Sequence, residues 1–489
     1  MKYGTPESVG IRSAAIESYL RSLEDAHLAM HNVIIARHNT VVFEHYYKPF
    51  YPERRHRLYS ETKSFVSLAV GLAVEDGLLT LDDTMEQHFA AELEGIDNDA
   101  LRHQTVRNML MMSTIGDVNY WFGGRPTDRV RYYFEAPHGK GGRTPGVDFS
   151  YDSTGTFVIG SLVERLTGRR IADYLQERLF DKIGIADGAH YLLCPGGHSW
   201  SDSAFLMRPR DLVDVGRLLL DGGRHNGEQI LPADYVREAT SNLISTGKEP
   251  GAYSEQGYGY YIWHSYHDGF FFNGMGCQFT ACYPKEDIIF VCNADNQGND
   301  KVAGDVIFSG LRDLILDTAG DPMPDDPAAA RSLADYADSL ELFHAYGAAS
   351  SPMAAEIDGK TFVLGENPMG ITRFTLRFGE TPALSYTNAQ GDKVLPFGMC
   401  KNCFGSFPQT GYSNEIGSVP GTCLLDDAVS AAWIDERTLW LKIQIIDDYF
   451  GNCDARFTFT DDGRVHLSMT KTAEDFLDEY RGEADGAMA

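Results

Sequence analysis

Apolar positions follow two different rhythms along this chain. Residues 33–36 and 41–43 are short apolar runs on either side of Arg37-His38-Asn39-Thr40, a pattern that predicts a β-hairpin. From about residue 60 to residue 185 the spacing turns helical, with amphipathic segments at 157–166 and 171–180. A further helix is predicted over 210–220, entered through Pro209 and stopped by Gly222-Gly223. Strand patterns then return at 258–263, 270–272, 278–283 and 288–292, the last two joined by a Pro284-Lys285-Glu286-Asp287 turn. A closing helix is predicted over 302–316. Strands, a helical insertion and then antiparallel strands together predict an α+β domain over residues 1–320. Residues 321–350 read as a Pro-rich acidic linker followed by a short helical segment at 332–346. Residues 351–489 read as a smaller all-β domain, a sandwich or barrel, with strands at 361–364, 373–378, 438–446, 456–460 and 465–469.

One segment departs from amphipathic patterning. Residues 65–74 are apolar nearly all round, which predicts a fully buried helix ended near Gly77. Ser60-Glu61-Thr62-Lys63 opens it. Ser and Lys three apart share one helix face, so hydroxyl and amine can share a proton. A Lys drawn into apolar surroundings can serve as a base, and a Ser beside it becomes an activated nucleophile. A buried helix N-terminus also favours developing negative charge. The spacing alone is weak: Ser245-Thr246-Gly247-Lys248 repeats it, within a loop rather than before a buried helix. The competing reading of Ser60 is an N-cap serine with a lysine in the first turn.

Two further elements carry candidate chemistry. Tyr151 stands on a turn before the helix at 157–166, and a phenol near an ammonium can carry protons. The strand at 270–272 runs into Asn273-Gly274-Met275-Gly276, where glycine permits close backbone approach and an exposed N–H could pair with that of Ser60 as an oxyanion hole. The plain alternatives are a tyrosine packed at a helix entrance and an ordinary hairpin turn.

The formal charge of −28 over 489 residues argues against nucleic acid and anionic membrane as partners. The N-terminus lacks an apolar signal core and no run reaches transmembrane length. Eight scattered Cys suit a reducing compartment, so a cytoplasmic location is expected. Cys400-Lys401-Asn402-Cys403 has the form of half a zinc site, but a second CxxC pair is missing, so no metal is expected.

The order Ser60-Glu61-Thr62-Lys63, Tyr151-Asp152-Ser153, then a glycine turn on a late strand resembles the serine β-lactamase-like superfamily. That group includes class C β-lactamases, penicillin-binding DD-peptidases, family VIII esterases, D-aminopeptidases and 6-aminohexanoate-oligomer hydrolases. The stretches at 77–83, 105–110, 145–151 and 207–212 are similar to it as well, so the resemblance covers roughly residues 5–318. It implies a β-lactamase/transpeptidase-like domain, an antiparallel sheet flanked by helices with a helical subdomain. It further implies that Ser60 is acylated, that Lys63 shuttles its proton, and that Tyr151 acts as acid or base at the leaving group. The N–H groups of Ser60 and Met275 would form the oxyanion hole, with no cofactor. Ser153, Asn273 and Gly274 would meet substrate, and the aromatic loop at 120–122, Trp121 in particular, would line the pocket.

Two positions depart from the family pattern. Ser153 stands where Asn is usual, and Phe272 stands where a Lys or His usually binds the carboxylate of penicillins and peptide C-termini. The expectation is therefore a serine hydrolase cleaving an ester or amide of a small molecule or short peptide. The alternatives are a noncatalytic binding module of the same fold and, behind it, a β-lactamase or DD-peptidase. Self-association and the role of the C-terminal domain are left open.

Overall fold

The computed structural model describes residues 1–116, 127–137, 143–186, 188–194, 196–247, 257–409, 424–448, 450–472 and 480–489. Of these, residues up to Glu341 form one compact unit and those from Leu342 onward form a second.

The first unit is built on a nine-stranded sheet. Its strands are β1 (Lys2–Tyr3), β2 (Met30–Arg37), β3 (Thr40–Tyr46), β4 (Ile244–Ser245), β5 (Gly257–Tyr258), β6 (Trp263–His264), β7 (Phe270–Gly274), β8 (Gln278–Tyr283) and β9 (Ile288–Ala294). They lie in the order β1-β3-β2-β9-β8-β7-β6-β5-β4, antiparallel except for the β1–β3 edge. Every residue of β2, β8 and β9 is buried, because helices cover both faces. This explains why these strands read as continuous apolar runs rather than alternating ones.

The helices α1 (Ser13–Asp25), α2 (Thr62–Glu75), α3 (Ser153–Thr167), α4 (Pro209–Leu220), α5 (Asp300–Gly310) and α6 (Pro327–Asp338) surround this sheet. On one face Tyr19 of α1 meets Phe290 edge-on, and Phe308 of α5 packs on Phe271 and Phe279. On the other face Phe65 of α2 contacts Phe272, Phe205 and Phe180. Gly216 brings α4 close to Cys282 and Ile289. The buried run 62–73 makes α2 the central helix, and Gly77, at φ +69°, follows its last turn.

Two local expectations are corrected. The strand predicted over 258–263 is split into β5 and β6, because Tyr261 adopts φ +56° and breaks the ladder. The helix predicted over 332–346 instead starts at Pro327, inside the predicted linker. Asp326 caps it, accepting from the N–H groups of Ala328 and Ala329 at 3.1 and 3.0 Å, and Pro327 fits the first helical position.

The second unit is one sheet rather than a two-sheet sandwich, antiparallel except where Gly398–Met399 pairs with Asp426–Trp433. Its path runs Gly391–Pro396, Ala383–Asn388, Arg373–Arg377, Thr361–Leu364, Gly482–Met488, Arg464–Thr472, Phe450–Phe459, Thr438–Ile446 and Asp426–Trp433. Short strands Gly398–Met399 and Cys403–Ser406 both pair with Asp426–Trp433. Leu384 and Leu395 from one end of the path line the same apolar core as Ile443 from the other, so the sheet curls toward a barrel. Among the described residues, no helix is long and apolar enough to cross a membrane.

The aromatic cluster joining α2 to the sheet sets a first test. Phe65→Ala should cost about 3–5 kcal/mol, the usual range for emptying a buried phenylalanine site, read as the shift of the denaturant transition of the first unit.

Candidate active site

The chain is delivered to Ser60 by a short antiparallel strand, His56–Arg57, paired with Phe205–Met207. The Leu58 N–H donates to the Phe205 carbonyl at 2.9 Å, and the Phe205 N–H donates to Thr62 Oγ1 at 3.1 Å. Between these anchors Tyr59 takes φ +47° and Ser60 sits in a single 3₁₀ turn, Tyr59–Glu61, before α2 begins. A bulky residue with positive φ is strained, by about 1–3 kcal/mol. Here it is held from several sides: the Arg57 guanidinium lies 4.5 Å from the Tyr59 ring, and Gln297 Nε2 donates to its hydroxyl at 3.3 Å.

Lys63 is almost fully buried. Its ammonium donates to Ser60 Oγ at 2.9 Å and to the Asp202 carbonyl at 2.7 Å, and lies 5.1 Å from the centre of the Tyr151 ring. Among the described residues no carboxylate pairs with it. The segment around Asp202 is held in turn, since Arg57 Nε donates to the Ser203 carbonyl at 3.0 Å and its guanidinium lies 4.8 Å from the Trp200 ring.

Tyr151 precedes α3, whose N-cap is Asp152 and whose first residue is Ser153. Asp152 Oδ1 accepts from the Gly155 N–H at 2.9 Å, while Oδ2 accepts from Thr114 Oγ1 at 3.0 Å and from the Tyr133 hydroxyl at 3.4 Å. These contacts fix the helix entrance and so the place of Tyr151. The Tyr151 ring stacks on Trp263 at 5.8 Å and 22°, which leaves it between an indole and the Lys63 ammonium. Trp263 itself meets Tyr258, Phe149 and Phe271. Sequence reasoning did not single out Trp263; its one signal was membership of an aromatic-rich segment. Ser153 is buried, and Lys63 has no hydrogen bond to it.

The glycine turn reaches the same place from the sheet. β7 ends at Gly274, where an added Cβ would sit 2.1 Å from the Leu58 carbonyl oxygen, so the strand end lies directly against the chain leading to Ser60. Asn273 is half-buried and Met275 is exposed. Phe272 turns inward onto Phe65, ring centres 6.0 Å apart, in an aromatic core contact. The structure thus brings Ser60, Lys63, Tyr151 and the Gly274-Met275 turn to one place. Trp121 lies outside the described residues. His264 lies at the other end of β7, beside Asp268 and Arg237 in a separate groove of about 380 Å³.

Glu61 was also missed in the sequence. Its carboxyl is fully buried beneath the 3₁₀ turn, and among the described residues neither oxygen reaches a hydrogen-bond partner. Burial pushes its pKa well above the usual carboxylate range, against the opposing pull of the nearby Thr280 hydroxyl and N–H. A buried carboxyl with a raised pKa thus adjoins Ser60 in sequence.

With the fold and these distances in hand, comparison with known proteins defines the class. The sequence profile of the Beta-lactamase family matches residues 20–308, more than half of the chain. The chain belongs to the Beta-lactamase family. It is 26% identical over 283 residues to a 6-aminohexanoate-dimer hydrolase of Paenarthrobacter ureafaciens, a match covering 52% of this chain and 70% of that protein. It is 27% identical over 158 residues to a lovastatin esterase of Penicillium rubens, covering 27% of this chain and 39% of that one. A solved structure from Bacillus anthracis, provisionally assigned as a 6-aminohexanoate-dimer hydrolase, superposes with a TM-score of 0.51 at 20% identity, covering 61% of this chain and 81% of the other.

Glu61 generates a pH prediction. Its folded pKa is raised, so the folded state holds a proton that the unfolded chain releases above about pH 4.3. Its contribution to stability therefore falls as pH rises from there, by at most about 1.4 kcal/mol per pH unit. Glu61→Gln, which keeps the shape without the proton, should gain in melting temperature relative to the parent between pH 5 and pH 8. Parallel melting curves would contradict a raised Glu61 pKa.

Proposed function

We propose that this chain hydrolyses an ester or amide bond of a small molecule or short peptide through an acyl intermediate on Ser60. The observation that carries the reading is the 2.9 Å contact between Lys63 Nζ and Ser60 Oγ, made by a buried amine with no carboxylate partner among the described residues. Along that line, with Lys63 as the neutral amine, the Ser60 proton passes to the Lys63 nitrogen lone pair as Oγ bonds to the substrate carbonyl carbon. The N–H groups of Ser60 and Met275 receive the developing oxyanion. Tyr151, packed against Lys63 and Trp263, returns a proton to the departing alkoxide or amine as the carbonyl–leaving-group bond breaks. Water then attacks the acyl carbon, gives up its proton to the same pair, and Ser60 leaves with a proton restored.

Ser60 and Tyr151 are both half-buried, so an acyl compound can approach them from solvent. The relatives include a 6-aminohexanoate-dimer hydrolase and a lovastatin esterase by name, which supports this substrate range without choosing within it. Phe272 argues against penicillins and peptide C-termini, because no cation stands there to meet a carboxylate. The noncatalytic alternative makes the opposite forecast for labelling and turnover alike.

A fluorophosphonate probe should add one equivalent of mass to the parent and none to Ser60→Ala. Lys63→Met should lower kcat on a nitrophenyl ester by about 10²–10⁴-fold, the range for losing a positioned proton carrier. Labelling of Ser60→Ala at the parent's rate would remove Ser60 as nucleophile. Phe272→Lys should destabilise the first unit without creating penicillin turnover, because the new charge would be buried against Phe65.

A further inference from the structure

A chain of three buried amides runs behind the glycine turn. Asn32 on β2, Asn293 on β9 and Gln278 on β8 are all fully buried on adjacent strands. Asn32 Nδ2 donates to Asn293 Oδ1 at 2.8 Å, and Asn293 Nδ2 donates to Gln278 Oε1 at 3.0 Å. Gln278 Nε2 then donates to the carbonyls of Met275 at 3.0 Å and Ala294 at 2.5 Å. In an all-apolar sheet interior, three amides are costly unless satisfied, and this set is satisfied largely by itself and by the turn.

The peptide plane after Met275 is pinned at both ends. Gln278 holds its carbonyl, and Asp300 Oδ1 accepts from its N–H, that of Gly276. The Gly276 carbonyl in turn accepts from the Asn296 N–H at 3.1 Å. On the other side Gly274 is clamped by the Leu58 carbonyl and by the Gln278 side chain, whose Cβ would lie 2.9 Å from an added Cβ. With both flanking units fixed, the Met275 N–H has little freedom of direction.

We propose that Gln278, oriented by Asn293 and Asn32, is a positioning residue that aims the Met275 N–H at the substrate oxygen. The proposal rests on the acyl-Ser60 reading above and adds a residue that never touches substrate. Its energetic logic is that of a preorganised donor. Such a donor acts only if it is held at the oxyanion's position before the reaction begins, and a displacement of about 1 Å can cost about 100-fold in rate.

The test compares Gln278→Met, which keeps length but loses both donors, with Gln278→Glu, which keeps an acceptor for Asn293 and supplies one donor when protonated. Gln278→Met should lower kcat about 100-fold on a nitrophenyl ester while KM stays within about twofold, because the loss falls on the transition state. Binding of a boronic acid analogue of the tetrahedral adduct should weaken in parallel with kcat. Gln278→Glu should recover part of the loss at low pH. Amide exchange over residues 274–277, read by mass spectrometry, should quicken in Gln278→Met while α2 keeps its protection. Unchanged exchange together with unchanged kcat would overturn the assignment, as would a rise in KM alone. Faster exchange in Gln278→Met, beside a parent protein without any Ser60-dependent turnover, would uphold the anchoring of the turn and discard the hydrolase reading instead.

Discussion

The approach of Gly274 to the Leu58 carbonyl is the constraint on which the site depends. No side chain fits there, since a Cβ would meet that oxygen at 2.1 Å. Two pieces of chain of different kinds therefore come together, a strand end from the sheet and the strained turn before α2. The two proposed oxyanion donors lie across this seam. Ser60 and Lys63 come from the helix side, and Asn273 and Met275 come from the sheet side. The seam is tight because each side is anchored independently. Phe205 holds the helix side through hydrogen bonds to Leu58 and Thr62, and Gln278 holds the sheet side through the Met275 carbonyl.

The strain at Tyr59 belongs to the same construction. Its left-handed conformation costs about 1–3 kcal/mol, which the fold offsets with Arg57, Gln297 and the buried α2 behind it. Arg57 acts on both halves of the Lys63 environment. It lies over Tyr59, and it holds Ser203 beside the Asp202 carbonyl that receives the Lys63 ammonium. A basic group is thereby kept buried by neutral oxygens and an aromatic face, with no carboxylate oxygen in ion-pair contact with it among the described residues.

The legibility of these features in the sequence tracked the range of the interactions. The buried helix, its Gly77 end and the central strands could be read from local hydropathy, because burial on all sides leaves an unbroken apolar run. Order and spacing of Ser60, Lys63, Tyr151 and Gly274 pointed to one family, and the structure sets these residues together. Other features depend on partners far along the chain and leave no periodic mark. Trp263 matters through the ring it stacks on, over a hundred residues earlier. Nothing in the local sequence marks the full burial of Glu61. The split at Tyr261 came from a positive φ that tyrosine composition conceals. In the second unit, strands such as Ala383–Asn388 and Gly482–Met488 went unread because one face is solvated and the alternation is diluted by Gly, Ser, Asn and Glu.

On the proposed reading, Met275 is a position used for its backbone. Its side chain is exposed at the turn, while its peptide is held by groups that ignore which residue stands there. Natural variation can therefore change the shape and polarity offered to an incoming substrate at that point without disturbing the donor behind it. A different side chain here would change what an incoming substrate meets and leave the same framework behind it, so a motif defined by side chains says nothing about the donor.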